Sequence, residues 1–320
     1  MIWLFRGANY PFLKFRKWGY GLSLVLTLLT VISIAAHGGL RYSIDFTGGT
    51  LVQLDFERPV EPQTLRSILA RMPELESSEV QRFGDPSDAV VRAQVPEGEE
   101  EVFGERIEGH LREAPELADN PFSVVRMEAV GPKIGSELKR QAVLAILYAL
   151  GLILVYVAFR FDLKFGVAAI VATAHDIVLS IGTFSLTGKE ISLAVVAAFL
   201  TIVGYSLNDT IVVFDRIRED LRGMRREPYA EVVNRAVNET LSRTVLTGGT
   251  TLIVLLFLFF LGGEVIHDFA FALIIGIVIG TYSSIFVGAP LVVDWKERIE
   301  DRGASSGPDA KKPRKRKQPA

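Results

Sequence analysis

The sequence contains no cysteine, and only four histidines are scattered over its 320 residues. Without cysteine there are no disulfides and no thiol chemistry, and four scattered histidines without an H-E-x-x-H pattern argue against a zinc site. A strong net charge is also missing, because the formal charge is −2 at pH 7. The net charge therefore says little about partners. We expect no cofactor, no metal and no nucleic-acid partner.

Long hydrophobic runs are the feature that the chain has in excess. Hydrophobic residues make up 49% of the sequence. A helix needs about 20 mostly apolar residues to cross a bilayer. Six runs meet this length, and they predict transmembrane helices at residues 18–38, 139–160, 165–187, 191–214, 244–263 and 268–293.

The lysines and arginines of the short connections predict the orientation. They gather in residues 1–17, in the predicted loop 215–243 and in the tail 294–320, which share one side if six spans alternate. The positive-inside rule makes that side cytoplasmic, so we expect both termini there and residues 39–138 outside. A cleaved signal peptide is the alternative for the first span, but the length of its apolar run favours an uncleaved anchor. The Gly-, Ser-, Pro- and Lys-rich tail is expected to be disordered.

The extracytoplasmic segment 39–138 has the pattern of a small folded domain. Alternating apolar residues predict strands, and amphipathic stretches between proline-marked turns predict helices. The order is strand 51–56, helix 64–72, strands 80–83 and 89–95, helix 99–113 and strand 122–129. This β-α-β-β-α-β order is that of the ferredoxin-like unit. The predicted fold is therefore a multi-pass α-helical membrane protein with six transmembrane helices plus one ferredoxin-like α+β domain.

Two aspartates lie inside predicted spans, where a carboxylate costs several kcal/mol and is a functional hypothesis by default. Asp176 lies near the middle of the third span, and Asp209 lies in the inner half of the fourth. Asp209 has polar neighbours, Asn208 and Tyr205, and shares a helix face with Tyr205. Arg243 opens the fifth span from the same side as Asp209, so its long side chain is placed to reach toward Asp209. The sequence does not establish that the two helices are neighbours.

An Asp209–Arg243 pair would suit a device that moves protons. A low dielectric favours the neutral carboxyl, whereas a nearby arginine favours the carboxylate and itself stays charged. A small helix movement would then switch Asp209 between proton acceptor and donor. The alternative interpretation is a structural ion pair or a neutral, hydrogen-bonded aspartate that only fixes helix packing.

Other polar and small residues of the spans are expected to serve packing. His175 adjoins Asp176, but consecutive helix residues do not face each other, so we expect no pairing between them. Small residues spaced four apart predict a close helix contact along the last span: Gly276, Gly280, Ser284 and Gly288.

Five motifs in order along the chain resemble the SecF family, membrane subunits of the bacterial Sec protein-export machinery within the resistance-nodulation-division superfamily. The longest is GYSLNDTIVVFDRIRE at residues 204–219. The other four are IDFTGGT at 44–50, VGPKIGSEL at 130–138, AHD at 174–176 and LSRTV at 241–245. The resemblance extends over about residues 1–300.

The resemblance implies a transport subunit rather than an enzyme, located in the bacterial inner membrane. Such a protein uses the proton motive force to help complete protein export, together with a homologous SecD subunit. Its further implied partners are the SecYEG channel, YajC, the exported unfolded polypeptide and membrane lipids. Asp209 and Arg243 fall on the positions that the family uses for proton relay, and Asp176 falls on a motif position of less defined role. A second six-helix half would cover the face of span four that carries Tyr205 and Asp209.

Three other functions are consistent with parts of the pattern. Half of a proton-coupled small-molecule or lipid exporter of the same superfamily would also have six spans and intramembrane aspartates, but such exporters usually carry both halves and larger external domains in one chain. An intramembrane aspartyl protease would need a Gly-x-Gly-Asp motif, whereas this chain has Ser-Leu-Asn-Asp at residues 206–209. A purely structural scaffold would leave Asp209 unexplained.

Overall fold

The computed structural model describes residues 5, 7–75, 78–94, 99–223 and 227–305. Its helices are α1 (Arg16–Ala36), α2 (Ile44–Thr47), α3 (Pro62–Leu69), α4 (Glu100–Arg112), α5 (Pro132–Arg160), α6 (Leu163–Thr187), α7 (Leu193–Gly223), α8 (Tyr229–Leu261), α9 (Glu264–Ser283) and α10 (Ala289–Ser305). The strands are β1 (Gly49–Phe56), β2 (Glu79–Phe83), β3 (Asp85–Ala93) and β4 (Phe122–Val130). A π-helical turn at Ser284–Gly288 joins α9 and α10 into one rod.

Six rods in the described part of the chain are long and apolar enough to cross a membrane: α1, α5, α6, α7, α8 and the α9–α10 rod. Together with the four-stranded α+β domain, they confirm the predicted fold class. The domain lies at one end of the bundle, and because the rods alternate in direction, both ends of the described chain lie at the other. These two ends are called the domain face and the opposite face below.

The helices extend past the predicted spans at the opposite face. Most of segment 215–243, predicted as a loop, is helical, since α7 runs to Gly223 and α8 begins at Tyr229. Charged side chains support this extension: Arg216 bonds Glu219 within α7 and also pairs with Glu239 of α8. Charge ends a membrane span but not a helix, and i,i+3 and i,i+4 pairs stabilise its continuation.

The same correction applies to the C-terminal tail, for which residues 294–320 were predicted to be disordered. Residues 294–305 continue α10. On α10, Asp294 accepts a hydrogen bond from Tyr20 of α1 at 2.8 Å, and Glu297 pairs with Arg16 at 2.8 Å. Residues 306–320, which include the basic run, lie outside the described residues.

The domain has the predicted β-α-β-β-α-β order. Its sheet is entirely antiparallel, with strand order β2-β3-β1-β4, and Val52 of β1 lies between Val91 of β3 and Met127 of β4. One face of the sheet packs against α3 and α4. The core on that face contains fully buried side chains, including Val52, Leu54, Leu65, Ile68, Phe103, Ile107 and Leu111.

A tight backbone joint ties the domain to the bundle. Gly48 and Gly49 have φ of +74° and +113°, and a Cβ on Gly49 would lie 2.5 Å from the Ala93 carbonyl oxygen. Just before them, the Asp45 carboxylate accepts a hydrogen bond from the backbone N–H of Leu193, the first residue of α7, at 2.8 Å. Only glycine fits this approach and backbone conformation. The Asp45 hydrogen bond links this joint to the start of α7.

Three rods form the interior of the bundle and three form its periphery. More than half of the apolar stretch is buried in α6, in α7 and in the α9–α10 rod, but less than a fifth in α1, α5 and α8. The contact predicted from the small residues of the last span is confirmed at two of them. A Cβ on Gly276 would lie 2.3 Å from Ile202, and one on Gly280 would lie 3.1 Å from Ser206.

Candidate functional site

Asp209 lies on α7, about 24 Å along the helix from its first residue at the domain face. The residue is only 3% exposed. Within the described residues, its carboxylate makes no hydrogen bond and no ion pair within 4.0 Å. Tyr205, one turn before Asp209, donates to Thr251 Oγ1 of α8 at 3.1 Å. Because residues i and i+4 share a helix face, Asp209 lies on the side of α7 that faces α8.

Arg243 lies on that neighbouring helix. The Tyr205–Thr251 bond and the Arg216–Glu239 pair fix α7 and α8 as antiparallel neighbours, with Arg243 about one turn nearer the opposite face than Asp209. Arg243 is exposed, and the described chain gives its guanidinium no acid within 4.0 Å. It is the charged side chain whose field acts on the Asp209 carboxylate. The structure thus brings the predicted pair onto adjacent helices without closing it into an ion pair.

The exposed face of α7 lies beside this site. It carries a stripe of small and polar residues: Ala197, Thr201, Gly204 and Asn208. This stripe lies about 100° around the helix from the face of Tyr205 and Asp209, which was predicted to form a seam with a second subunit. Those two side chains turn toward α8, whereas Asn208 faces outward. The sequence alone could not separate the two faces, because polar residues lie on both.

Asp176, by contrast, lies in a fully hydrogen-bonded pocket on α6 and is 0% exposed. Ser283 Oγ of α9 donates to its Oδ2 at 2.8 Å, and Ser206 Oγ of α7 donates to the same oxygen. Nδ1 of His175 lies 3.0 Å from Oδ1. The prediction that His175 and Asp176 do not pair is wrong, because both side chains bend toward each other across one helix step.

Two features of this region were not predicted from the sequence. One is the link from Ser206 to Ser283 through Asp176. The other is an amide clamp at the opposite face, where Asn234 and Asn238 of α8 both donate to the Tyr10 carbonyl, at 3.0 and 2.9 Å. The i,i+4 spacing of the two asparagines was the available signal, but their partner is a backbone group more than 200 residues away.

Comparison with known proteins identifies the family of the chain. Residues 112–298 match the model of the C-terminal region of the SecD/SecF protein export membrane proteins, and residues 34–60, which include Gly48 and Gly49, match the SecD/SecF GG motif. The protein translocase subunit SecF of Desulfurispirillum indicum is 46% identical over 291 residues, which cover 90% of this chain and 92% of that relative.

A longer relative is similar to the chain over part of its own length. The protein translocase subunit SecDF of Thermus thermophilus is 45% identical over 317 residues, which cover 95% of this chain but 41% of the relative. The crystal structure of SecDF from the same organism superposes with a TM-score of 0.82 over 93% of this chain and 40% of that one. A super-membrane-facing form of SecDF gives a TM-score of 0.69. From both family models and an identity of 46% across nine-tenths of its length, the chain belongs to the SecF group of the SecD/SecF family of protein export membrane proteins.

Proposed function

We propose that this chain is an accessory subunit of the Sec translocase that uses the proton motive force to help complete protein export across the bacterial cytoplasmic membrane. Membership of the SecF group supports the transport role. The similarity to SecDF supports a SecD partner, because this chain corresponds to about two fifths of the longer protein. The SecD-like subunit would contribute the remaining membrane helices.

The observation that carries the proton-coupling proposal is the unpaired burial of Asp209. A carboxylate that serves only packing should be ion-paired or hydrogen-bonded, since leaving it buried and unpaired costs several kcal/mol. Asp209 is 3% exposed and has neither kind of partner in the described chain. A group in this setting can stay buried as the neutral acid and becomes charged only when a cation approaches.

Arg243 is the cation that is placed to approach. It lies on the adjacent helix and carries a positive charge. When the guanidinium is near, the carboxylate is favoured and a proton leaves; when α8 withdraws it, Asp209 takes up a proton. One proton crossing about 100 mV releases about 2.3 kcal/mol, which is enough to bias a helix rearrangement.

The orientation and further partners belong to the same proposal. We place both termini in the cytoplasm and residues 39–138 outside, because lysines and arginines gather at the opposite face. The domain is then positioned to contact the exported unfolded polypeptide as it emerges. The SecYEG channel and YajC would be neighbours in the membrane, and anionic lipids would contact the basic tail.

Replacing Asp209 by asparagine tests the proposal directly. Asp209→Asn keeps the size and removes the titrating proton. In vesicles whose only energy source is a proton gradient, we expect the completion of export to fall to the level measured without this subunit. Asp215→Asn is the matched control, because Asp215 lies on the same helix and pairs with Arg160 at 3.6 Å while remaining exposed. Export by Asp209→Asn at the wild-type rate would refute the proton role.

A further inference from the structure

The Asp176 carboxylate connects three interior helices at one point. It is held on α6, and its Oδ2 receives hydrogen bonds from Ser206 of α7 and Ser283 of α9. All three residues are at most 2% exposed. Hydrogen bonds to a carboxylate are stronger than neutral ones, and a carboxylate whose two oxygens both accept hydrogen bonds favours one arrangement of the groups around it.

This connection lies at a close contact between α7 and α9. Gly280 of α9 leaves room for Ser206, and Gly276, one turn away, leaves room for Ile202. Two helices that approach this closely cannot slide past each other without breaking the contact. The hydrogen bonds at Asp176 therefore fix the position of α7 along α9, and with it the depth of every residue on α7.

The position of α7 along α9 matters most for Asp209. Asp209 follows Ser206 by three residues, so the two lie within one turn of the same helix. A shift of α7 by a fraction of a turn would change the separation between Asp209 and Arg243 of α8. The contact at Asp176 and the open pair at Asp209 are thus mechanically linked through a single helical turn.

His175 completes the arrangement by orienting the carboxylate. Its Nδ1 lies 3.0 Å from Oδ1, which leaves Oδ2 free for the two serines. Its Nε2 is buried without a hydrogen-bond partner. The His175 ring lies beside Tyr282 of α9, with ring centroids 6.4 Å apart, and the Tyr282 hydroxyl donates to the Gly19 carbonyl of α1 at 2.7 Å. Both oxygens of the carboxylate are thus engaged, Oδ1 by His175 and Oδ2 by the two serines.

We propose that Asp176 is a positioning residue for the proton step: through Ser206 and Ser283 it holds α7 where Asp209 and Arg243 can exchange between open and paired states. This inference rests on the proposed function of Asp209. The titratable groups around Asp176 are His175 on its own helix, Tyr282 on α9 and Asp209 one turn along α7. Within the described residues, no lysine or arginine lies within 4.0 Å of the Asp176 carboxylate.

The first test compares four variants in the full-length protein with its SecD partner: Asp176→Asn, Ser206→Ala, Ser283→Ala and the control Ser284→Ala. Ser284 is equally buried and adjacent to Ser283, but its hydroxyl donates to the Thr281 carbonyl at 3.0 Å. Two quantities are measured: export driven by a proton gradient, and the pH profile of Asp209 labelling by dicyclohexylcarbodiimide, read by mass spectrometry. A merely structural role for Asp176 would lower the yield of folded protein without displacing that profile.

We expect the first three variants to lower proton-driven export by about tenfold or more and to displace the labelling profile of Asp209, since small misplacements of a reacting group have effects of this size. Ser284→Ala should match the wild type in both measurements. Wild-type export and an unchanged profile in Ser206→Ala and Ser283→Ala would overturn the inference, even if Asp176→Asn failed to fold. If Asp209→Asn stops export while these serine variants do not change it, the proposed function stands and only the positioning role fails.

A second test separates the two nitrogens of His175. In His175→Asn the amide nitrogen occupies the place of Nδ1 and can still donate to Asp176, whereas in His175→Gln it occupies the place of Nε2. We expect His175→Asn to retain most of the export activity and His175→Gln to lose it. The reverse order would overturn the orienting role, because it would show that the unpartnered nitrogen is the one required.

Discussion

Asp176 and Asp209, two of the buried aspartates of the bundle, are nearly equal in exposure and opposite in their surroundings. Asp176 is 0% exposed and Asp209 is 3% exposed. Asp176 is contacted by two serine hydroxyls and an imidazole, whereas the described chain gives Asp209 no hydrogen bond and no ion pair. Burial alone therefore does not separate a structural carboxylate from one that works by changing its charge. The partners of the carboxylate make that distinction.

The two sites also differ in how much of their surroundings the chain itself provides. Asp176 is enclosed by three helices of this protein. Asp209 lies next to a face of α7 that the described part of the chain leaves exposed, and Arg243 is exposed as well. A site that is complete in one subunit suits a fixed joint, whereas a site at the edge of a subunit can respond to the movement of a partner.

Substitution of Arg243 should have the largest effect on proton-driven export, and it tests this difference between the two sites. Arg243→Ala removes the positive charge that acts on Asp209, and proton-driven export should fall to the level without the subunit. Arg243→Lys should also lower it strongly, because lysine lacks the planar fork of donors and loses its proton when desolvated. The measurement is export in vesicles energised by a proton gradient alone, with Arg235→Lys on the same helix as control.

A different result would show which part of the comparison is wrong. If Arg243→Lys supports export like the wild type while Arg243→Ala does not, Asp209 needs only a nearby positive charge and no defined geometry. If both variants support export, Arg243 is not needed for the proton step. Asp209 would then only fix helix packing, as in the structural alternative.

An intermediate effect is expected on the contacts with the second subunit. The chain is free of cysteine, so single cysteines can be introduced without background. Cysteines at Thr201, Gly204 and Asn208 should crosslink to a SecD-like subunit in the assembled complex, because these positions form the exposed stripe of α7. Cysteines at Ser180 and Ser206, near Asp176, should not crosslink, because both positions are buried within this chain. Crosslinks of equal yield at both sets would remove the distinction between the two sites.

The fold could be predicted from the sequence because its signals are local. Apolar runs define the membrane helices, and period-two patterns between prolines define the strands of the domain. The helix ends at the opposite face were not predictable in this way, since hydropathy marks where the membrane ends, whereas α7 continues to Gly223 through charged pairs.

The candidate site was predictable in its residues but not in its geometry. Asp209, Arg243 and Asp176 stand out because charged groups in membrane spans are costly. Which side of α7 faces α8, and whether His175 bends toward Asp176, depends on how three helices pack, which no local pattern records. Ser206 stood out only as a polar neighbour of Asp209, and Ser283 gave no signal, because serine is a common small residue at helix contacts.

The smallest effect concerns a carboxylate pair in the domain, where water surrounds much of the site and the effect of charge should be weak. Asp55 and Asp88 lie opposite each other on β1 and β3. Partial burial raises the pKa of Asp88, and the neighbouring Asp55 carboxylate adds to the effect. The pKa of Asp88 is higher in the folded protein than in the unfolded chain. The stability that protonated Asp88 contributes is therefore fully present below the unfolded pKa, and it is lost as the pH rises through the folded pKa. At pH 7 the ionised pair therefore destabilises the sheet, by about 0.5 kcal/mol or less after solvent screening.

Asp88→Asn should slow hydrogen exchange of the β1 and β3 amides at pH 7 and leave it unchanged near pH 3. Glu116→Gln should have the opposite effect and speed hydrogen exchange at pH 7. The reason is that the hydrogen bond from Arg71 lowers the pKa of Glu116, so the ionised Glu116 stabilises the folded domain. Exchange of the β1 and β3 amides that is the same in Asp88→Asn and the wild type at pH 7 would show that the repulsion between Asp55 and Asp88 does not affect the stability of the sheet.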